Sequence, residues 1–232
     1  MSDPLVLILA AGESRRFLEQ GIRTPKALLT LEYMGHEGSM LSFIQSGIPE
    51  QYDALTVLQS GHEAPNDIRG DVIHIAPTRG QAETVYRVLS TMREDRPILV
   101  HDCDMMLDVL DNHKLIDLLE NYQLSVAVTE TFDPNASRVD SVPFPDVFVE
   151  KQNISKWGIV GARAFESSLD LLQAIEIELR ANINTVDYEP YLSQAMNNFM
   201  GQAFAHVITD FVDWGTPERI VASGARIIGG VR

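Results

Sequence analysis

The chain has 232 residues and carries 33 Asp and Glu against 18 Lys and Arg, for a net charge of −15. That balance argues against nucleic-acid binding, which needs basic surface facing phosphate. The length suits one sizeable α/β domain, and the single cysteine excludes an internal disulfide and fits a reducing, cytoplasmic setting.

Val6 to Ala10 is a short continuous apolar run, as expected for a strand buried on both faces of a parallel sheet. Ala11 and Gly12 follow, small enough for a ligand to approach the backbone, and Gly12 can also take a positive φ. Ser14 is expected to N-cap a helical turn through Arg15, Arg16 and Phe17. A strand, a small-residue loop and a helix start leave backbone N–H groups free for an anion. The first 26 residues hold four Lys/Arg (Arg15, Arg16, Arg23 and Lys26) against three Asp/Glu, so a basic start precedes an acidic remainder.

Leu28 to Leu31 reads as a short strand, and Met40 to Ile44 as a helix ended by Gly47 and Pro49. Ala54 to Leu58 and Val72 to Ala76 read as buried strands. A helix is expected over 81–93, with Val85, Val88, Leu89 and Met92 on one face. Pro97 to Val100 is a strand, 112–121 a helix, and Ser125 to Val128 another strand. This βαβ alternation predicts a mostly parallel sheet flanked by helices. In the second half, strands at Val147–Val149, Gly158–Gly161 and His206–Thr209 are broken by Pro and Gly. They suggest a mixed sheet, or a subdomain over the open end of the first half, completed by helices near 168–180 and 191–199.

Four stretches can carry chemistry. In PILVHDCDMM a strand runs into Asp102 and Asp104, at the strand end where α/β sheets bind ligands. Such a carboxylate either holds Mg²⁺ against phosphate oxygens or caps the next helix. In FVDWGTPERI, Asp213 precedes Thr216 as N-cap and Pro217 at the first helical position. VFVEK places Glu150 and Lys151 at a strand end. PTRGQAET puts Gly80 at a helix start, flanked by Arg79, Gln81 and Glu83, with Gln59 to His62 on the same rim. Cys103 reads as a packing residue, and His101 as packed or hydrogen-bonded. The six histidines form no H-x-x-x-H pair. The sequence contains neither a nucleophile elbow nor a Walker phosphate loop. No secretory signal is expected, and no apolar run reaches bilayer length.

LAAGESRRF, with Pro25-Lys26 after it, resembles the signature of the sugar-phosphate nucleotidylyltransferases, LAAG-x-G-x-R-[LF] followed by PK. Ser14 stands where that family has its second glycine. The strand ending at Asp104, the E-K pair and the D-x-G-T-P-E segment follow in the family's order. The resemblance implies a Rossmann-like mixed sheet of the nucleotide-diphospho-sugar transferase type, with a single domain over 1–232. Its nucleotide-binding half is about 1–130 and its acceptor-binding half about 131–232. It implies that Arg16 and Lys26 are catalytic. Leu9, Ala10, Ala11, Gly12, Gly80 and Gln81 would meet the nucleotide, and Glu150 and Lys151 the acceptor. Asp104 and Asp213 would hold Mg²⁺. The implied reaction joins an NTP to a sugar 1-phosphate or a similar small phosphate, releasing pyrophosphate, and the implied setting is nucleotide-sugar supply for a bacterial polysaccharide. The base, the acceptor and the oligomeric state stay open. Two other readings remain: a glycosyltransferase using Asp102-Cys103-Asp104 as its D-x-D, and a nucleotide-binding module without catalysis.

Overall fold

A computed structural model describes residues 3–185 and 188–230. In chain order the elements are β1 (Leu5–Ala10), α1 (Arg15–Leu18), β2 (Leu29–Tyr33), β3 (His36–Ser39), α2 (Met40–Ser46), β4 (Asp53–Gln59) and β5 (Asp71–Ile75). Next come α3 (Gln81–Leu89), β6 (Ile98–Asp102), β7 (Met105–Leu107), α4 (Val109–Asp117), β8 (Leu124–Glu130), β9 (Arg138–Val139) and β10 (Phe148–Val149). The chain continues through β11 (Trp157–Phe165), α5 (Ser168–Ala181), α6 (Leu192–Met196), β12 (Ala203–Val207), β13 (Phe211–Asp213), α7 (Pro217–Ala222) and β14 (Arg226–Gly230).

The main sheet runs β5-β4-β1-β6-β11-β8-β12, with β9 and β10 attached beside the first half of β11. Its pairings are parallel except those made by β11, which is antiparallel to both β6 and β8, and the β9–β10 pair. The expected mostly parallel sheet is therefore present. It is a mixed sheet, as expected: β11, from the second half of the chain, is inserted between two strands of the first half.

Alternate residues of β1 enter the two layers of core, as the twofold period of a strand requires. Leu5, Leu7 and Leu9 pack with Val85, Val88 and Leu171 beneath α3 and α5. Val6, Ile8 and Ala10 pack with Phe17, Ile44, Leu115 and Trp214 on the other face. β5 is the exception to the expected buried strands: it lies at the sheet edge, and among its five residues only Ile75 is buried. α3 stops at Leu89, four residues early, because the N–H groups of Thr91 and Met92 turn back to Val88 and Leu89. α4 starts at Val109, three residues early, because Asp108 caps it by accepting from the Leu110 N–H.

β11 contains a bulge between Ile159 and Arg163. Gly161 sits in it at φ 58°, where a Cβ would stand 2.8 Å from the Met105 Cβ and 2.9 Å from Leu107 Cδ1. A glycine at this point lets β7 lie against β11, and β7 follows directly on Asp104. Among the described residues, no helix is long and apolar enough to cross a membrane.

Candidate active site

The register of β1 on β6 pairs Leu9 with Asp102, so the small-residue loop and the acidic turn leave the sheet on one rim. Leu9 and Ala10 are buried and can offer a ligand only backbone. A Cβ at Gly12 would meet no atom within 4 Å, so the loop is open to close approach there. The positive φ in this loop falls on Ser14, at 55°. The Ser14 side chain does not cap α1 as expected. Its Oγ accepts the Lys26 N–H at 2.9 Å and ties the loop to the PK segment. A left-handed residue explains why a glycine would suit this position. The serine compensates with a hydrogen bond that glycine lacks. Arg16 is exposed, and its charge bears on Asp104.

Lys26 Nζ lies 2.5 Å from Asp104 Oδ2. Burial alone would discharge both groups, and each holds the other ionised. The Asp104 carboxylate keeps Lys26 above the ordinary lysine value, and Lys26, with help from Arg16, keeps Asp104 below the ordinary carboxylate value.

Asp213 reaches the same place from far along the chain. β13 pairs antiparallel with β7, setting Asp213 opposite Met105, and the Trp214 N–H donates to the Asp104 carbonyl at 2.7 Å. A Cβ on Gly215 would stand 3.0 Å from Asp213 Oδ1 and 3.2 Å from Asp104 Oδ2, so the two carboxylates flank one point. Burial is the main influence on Asp213 and lifts its carboxyl above the usual value. The nearby Asp104 charge adds to the lift, against the Gly215 N–H and Arg219. Thr216 caps α7 by accepting from the Arg219 N–H, with Pro217 at the helix start, as expected.

Two converging carboxylates fit a Mg²⁺-type ion, a hard cation commonly held by one or two protein acids together with phosphate oxygens. Among the described residues no three or more Asp, Glu, His or Cys gather as a metal cage. The remaining positions would therefore fall to substrate oxygens and water.

Asp102 is engaged elsewhere. It receives both Nη atoms of the buried Arg163, at 3.0 and 3.2 Å, and Gln81 Nε2 at 3.0 Å. Gln81 thus faces the acidic turn. Gly80 is needed for packing, since a Cβ there would stand 2.6 Å from the Pro190 carbonyl oxygen. Glu83 accepts from Arg79 and Arg87 along α3. Cys103 is buried, its thiol pushed up to about 12 by burial. His101 is fully buried in the sheet between Ile8 and Ala162, and burial lowers its pKa.

In the second half of the chain, Glu150 accepts from the Ser137 and Ser193 hydroxyls. Lys151 adopts φ 52° and lays its ammonium 4.5 Å from the centre of the Tyr191 ring, hydrogen-bonded to the Tyr191 hydroxyl and 4.0 Å from Glu189. Tyr191 is held above the usual phenol value by burial and by Glu189, while the charge of Arg15 pulls the other way. The 188–191 segment therefore packs on Gly80, meets Lys151, and lies within electrostatic range of Arg15 in the loop after β1.

The sequence alone does not single out Arg163, Asp133, Glu189, Tyr191 or Arg219. Arg163 carries one visible signal, a charge inside the apolar run GIVGARAF. Arg219 carries none: it is one more polar residue on a short helix until the fold sets it against Asp213 and Asp133, at 2.5 Å from each.

No protein-family model and no curated protein matches the chain. Solved structures match it in fold. A nucleoside-diphosphate-sugar pyrophosphorylase from Vibrio cholerae RC9 superposes with TM-score 0.74 at 18% identity, over 94% of this chain and 98% of that one. A UTP-bound UGPase from Acinetobacter baumannii gives 0.70 at 15% identity, over 95% and 92%. The inositol-1-phosphate CTP transferase from T. maritima gives 0.68 at 11% identity, over 94% and 92%. The chain has the fold of these nucleotidyltransferases over nearly its whole length.

Proposed function

We propose that the protein transfers a nucleotidyl group from an NTP to a small phosphorylated acceptor, releasing pyrophosphate. The observation that carries this reading is the convergence of Lys26, Asp104 and Asp213, three residues from distant parts of the chain, beside the open loop at Gly12. The fold neighbours support the same chemistry, since the proteins named above are nucleotidyl transferases or pyrophosphorylases.

In this reading the acceptor phosphate attacks the α-phosphorus in line, and no enzyme nucleophile is required. The protein acts by positioning and by offsetting charge. The loop at Leu9 to Gly12 offers backbone to the triphosphate, and Arg16 holds the leaving pyrophosphate. Lys26 exchanges Asp104 for the α-phosphate as negative charge grows there. Lys151 offsets the repulsion of the acceptor, and Glu150 orients its hydroxyls. Gly80 and Gln81 lie on the base side of the rim. Asp104 and Asp213 would hold Mg²⁺, which supplies charge neutralisation between the two reacting anions. The half before about residue 130 then serves the nucleotide and the half after it serves the acceptor. A cytoplasmic role in making a nucleotide sugar follows from the same reading.

The glycosyltransferase reading asks Asp102 and Asp104 to act together as D-x-D. The two-pronged ion pair from Arg163 to Asp102 counts against it. Pyrophosphate release tests the proposal. Release that requires one NTP, one acceptor and Mg²⁺ supports transfer. Turnover of a finished nucleotide sugar, with no pyrophosphate from any NTP, replaces it with the glycosyltransferase reading.

A further inference from the structure

Arg219 projects from α7 and binds two acids at once. Nη1 is 2.5 Å from Asp213 Oδ2, and Nη2 is 2.5 Å from Asp133 Oδ2. The two partners differ in kind. Asp213 is one of the two converging carboxylates of the site. Asp133 belongs to the turn after β8, where it accepts the Asn135 N–H and lies four residues before Ser137, which donates to Glu150. Arg219 thus connects the inner aspartate with the loop on the acceptor side. Its side chain is 37% exposed, in contrast to the buried Arg163 that fixes Asp102. Lys26 holds Asp104 in the same manner. Each of the two converging acids is therefore covered by its own cation, and together the pairs run Lys26, Asp104, Asp213, Arg219, Asp133.

We propose that Arg219 competes with a divalent cation for Asp213 and, once displaced, turns its freed Nη to the acceptor phosphate while Asp133 keeps hold of the other. Both oxygens of Asp213 are engaged, Oδ1 by the Gly215 N–H and Oδ2 by Arg219, and the guanidinium offsets the charge a divalent ion needs, so the ion gains most when Arg219 leaves. A guanidinium suits the second role because its planar fork serves two anions in fixed directions. The exposed position leaves it room to move, and Asp133 anchors it near the acceptor side. Its displacement would thereby link cation binding to the readiness of the acceptor pocket. This inference rests on the nucleotidyl-transfer reading for the acceptor step only. The competition concerns the metal alone.

The test begins with Mn²⁺ as the probe, titrated by electron paramagnetic resonance into wild type, Arg219→Gln, Arg219→Lys and Asp213→Asn without nucleotide. Thermal melts check that each variant is folded. Arg219→Gln is expected to bind Mn²⁺ on the order of tenfold more tightly, the effect of removing a partly screened ion pair from the ligand. Arg219→Lys should lie between it and wild type, and Asp213→Asn should bind weakly. Unchanged or weaker Mn²⁺ binding in a folded Arg219→Gln protein overturns the competition. Equal binding by Asp213→Asn and wild type overturns it too. At saturating Mg²⁺, Arg219→Gln should raise the KM for the acceptor about tenfold and leave the KM for the NTP near wild type. An unmoved acceptor KM overturns the phosphate role. If no variant, wild type included, turns over any NTP, the transfer reading fails while the Mn²⁺ titration still decides the competition.

Discussion

The backbone N–H of Trp214 donates to the carbonyl oxygen of Asp104 at 2.7 Å. This bond extends the β7–β13 ladder by one step and joins residues 110 positions apart. It brings Asp213 beside Asp104, and Gly215 leaves the space between their carboxylates open. Trp214 itself is fully buried, in edge-to-face contact with Tyr33 and Phe43, and its indole N–H donates to Ser223. The aspartates are thus held by a packed aromatic cluster, and their spacing does not depend on a mobile loop.

Lys26→Ala should lower the transfer rate by about 10²-fold or more, the usual effect of removing a donor aimed at developing charge. Steady-state pyrophosphate release measures it, with circular dichroism to confirm the fold. A folded variant with near-normal turnover would remove Lys26 from the mechanism.

Ser14 separates two effects that offset one another. Ser14→Gly relieves a left-handed conformation that costs a non-glycine residue about 1 kcal/mol, and loses the bond to Lys26, of similar worth. Ser14→Ala keeps the strain and loses the bond. Urea unfolding should therefore find Ser14→Gly close to wild type and Ser14→Ala less stable by about 1 kcal/mol. The reverse order would contradict the assigned roles of φ and hydroxyl.

Gly161→Ala should destabilise the fold by roughly 1–3 kcal/mol, because a methyl group at φ 58° meets Met105 and Leu107 inside contact distance. Since those residues form β7, the variant should also lose activity at temperatures where it remains folded. Thermal melts and turnover at low temperature, measured side by side, check both parts.

Asp67 fastens the 60–70 loop to the start of α2 by accepting the Ser39 N–H and hydroxyl, each at 2.7 Å. Burial would raise its pKa, but these hydrogen bonds prevail and hold it below the usual carboxylate value. The sign follows by linkage: stability from a depressed carboxyl is present above its unfolded value of about 3.9 and is lost as pH falls through the folded value. Asp67→Asn should cost about 1–2 kcal/mol at pH 7, and the difference should narrow as acid protonates the wild-type group. Denaturant curves at pH 7 and pH 3 measure it.

Much of the site could be read in the sequence because its parts are local. A buried strand, a small-residue turn, a strand-end aspartate and a Thr-Pro helix start each announce themselves within ten residues. What could not be read depends on distance. β7 and β13 are three residues each and exist only as partners of one another. β9 is shorter still, whereas β10 falls within the strand expected at Val147–Val149. Arg219 acquires its meaning from Asp133 and Asp213, and Gly80 from Pro190. The conformation of Ser14 depends on distance too: it is left-handed, and its hydroxyl accepts the N–H of Lys26, 12 residues on.

The most direct test of the central claim is pyrophosphate release with Mg²⁺, each common NTP being paired with a panel of sugar 1-phosphates and other small phosphates. The account predicts release that needs one NTP and one acceptor together, falls about 10²-fold or more in Lys26→Ala, and disappears when the divalent ion is chelated. Release from NTP alone, independent of any acceptor and indifferent to Lys26, would contradict it.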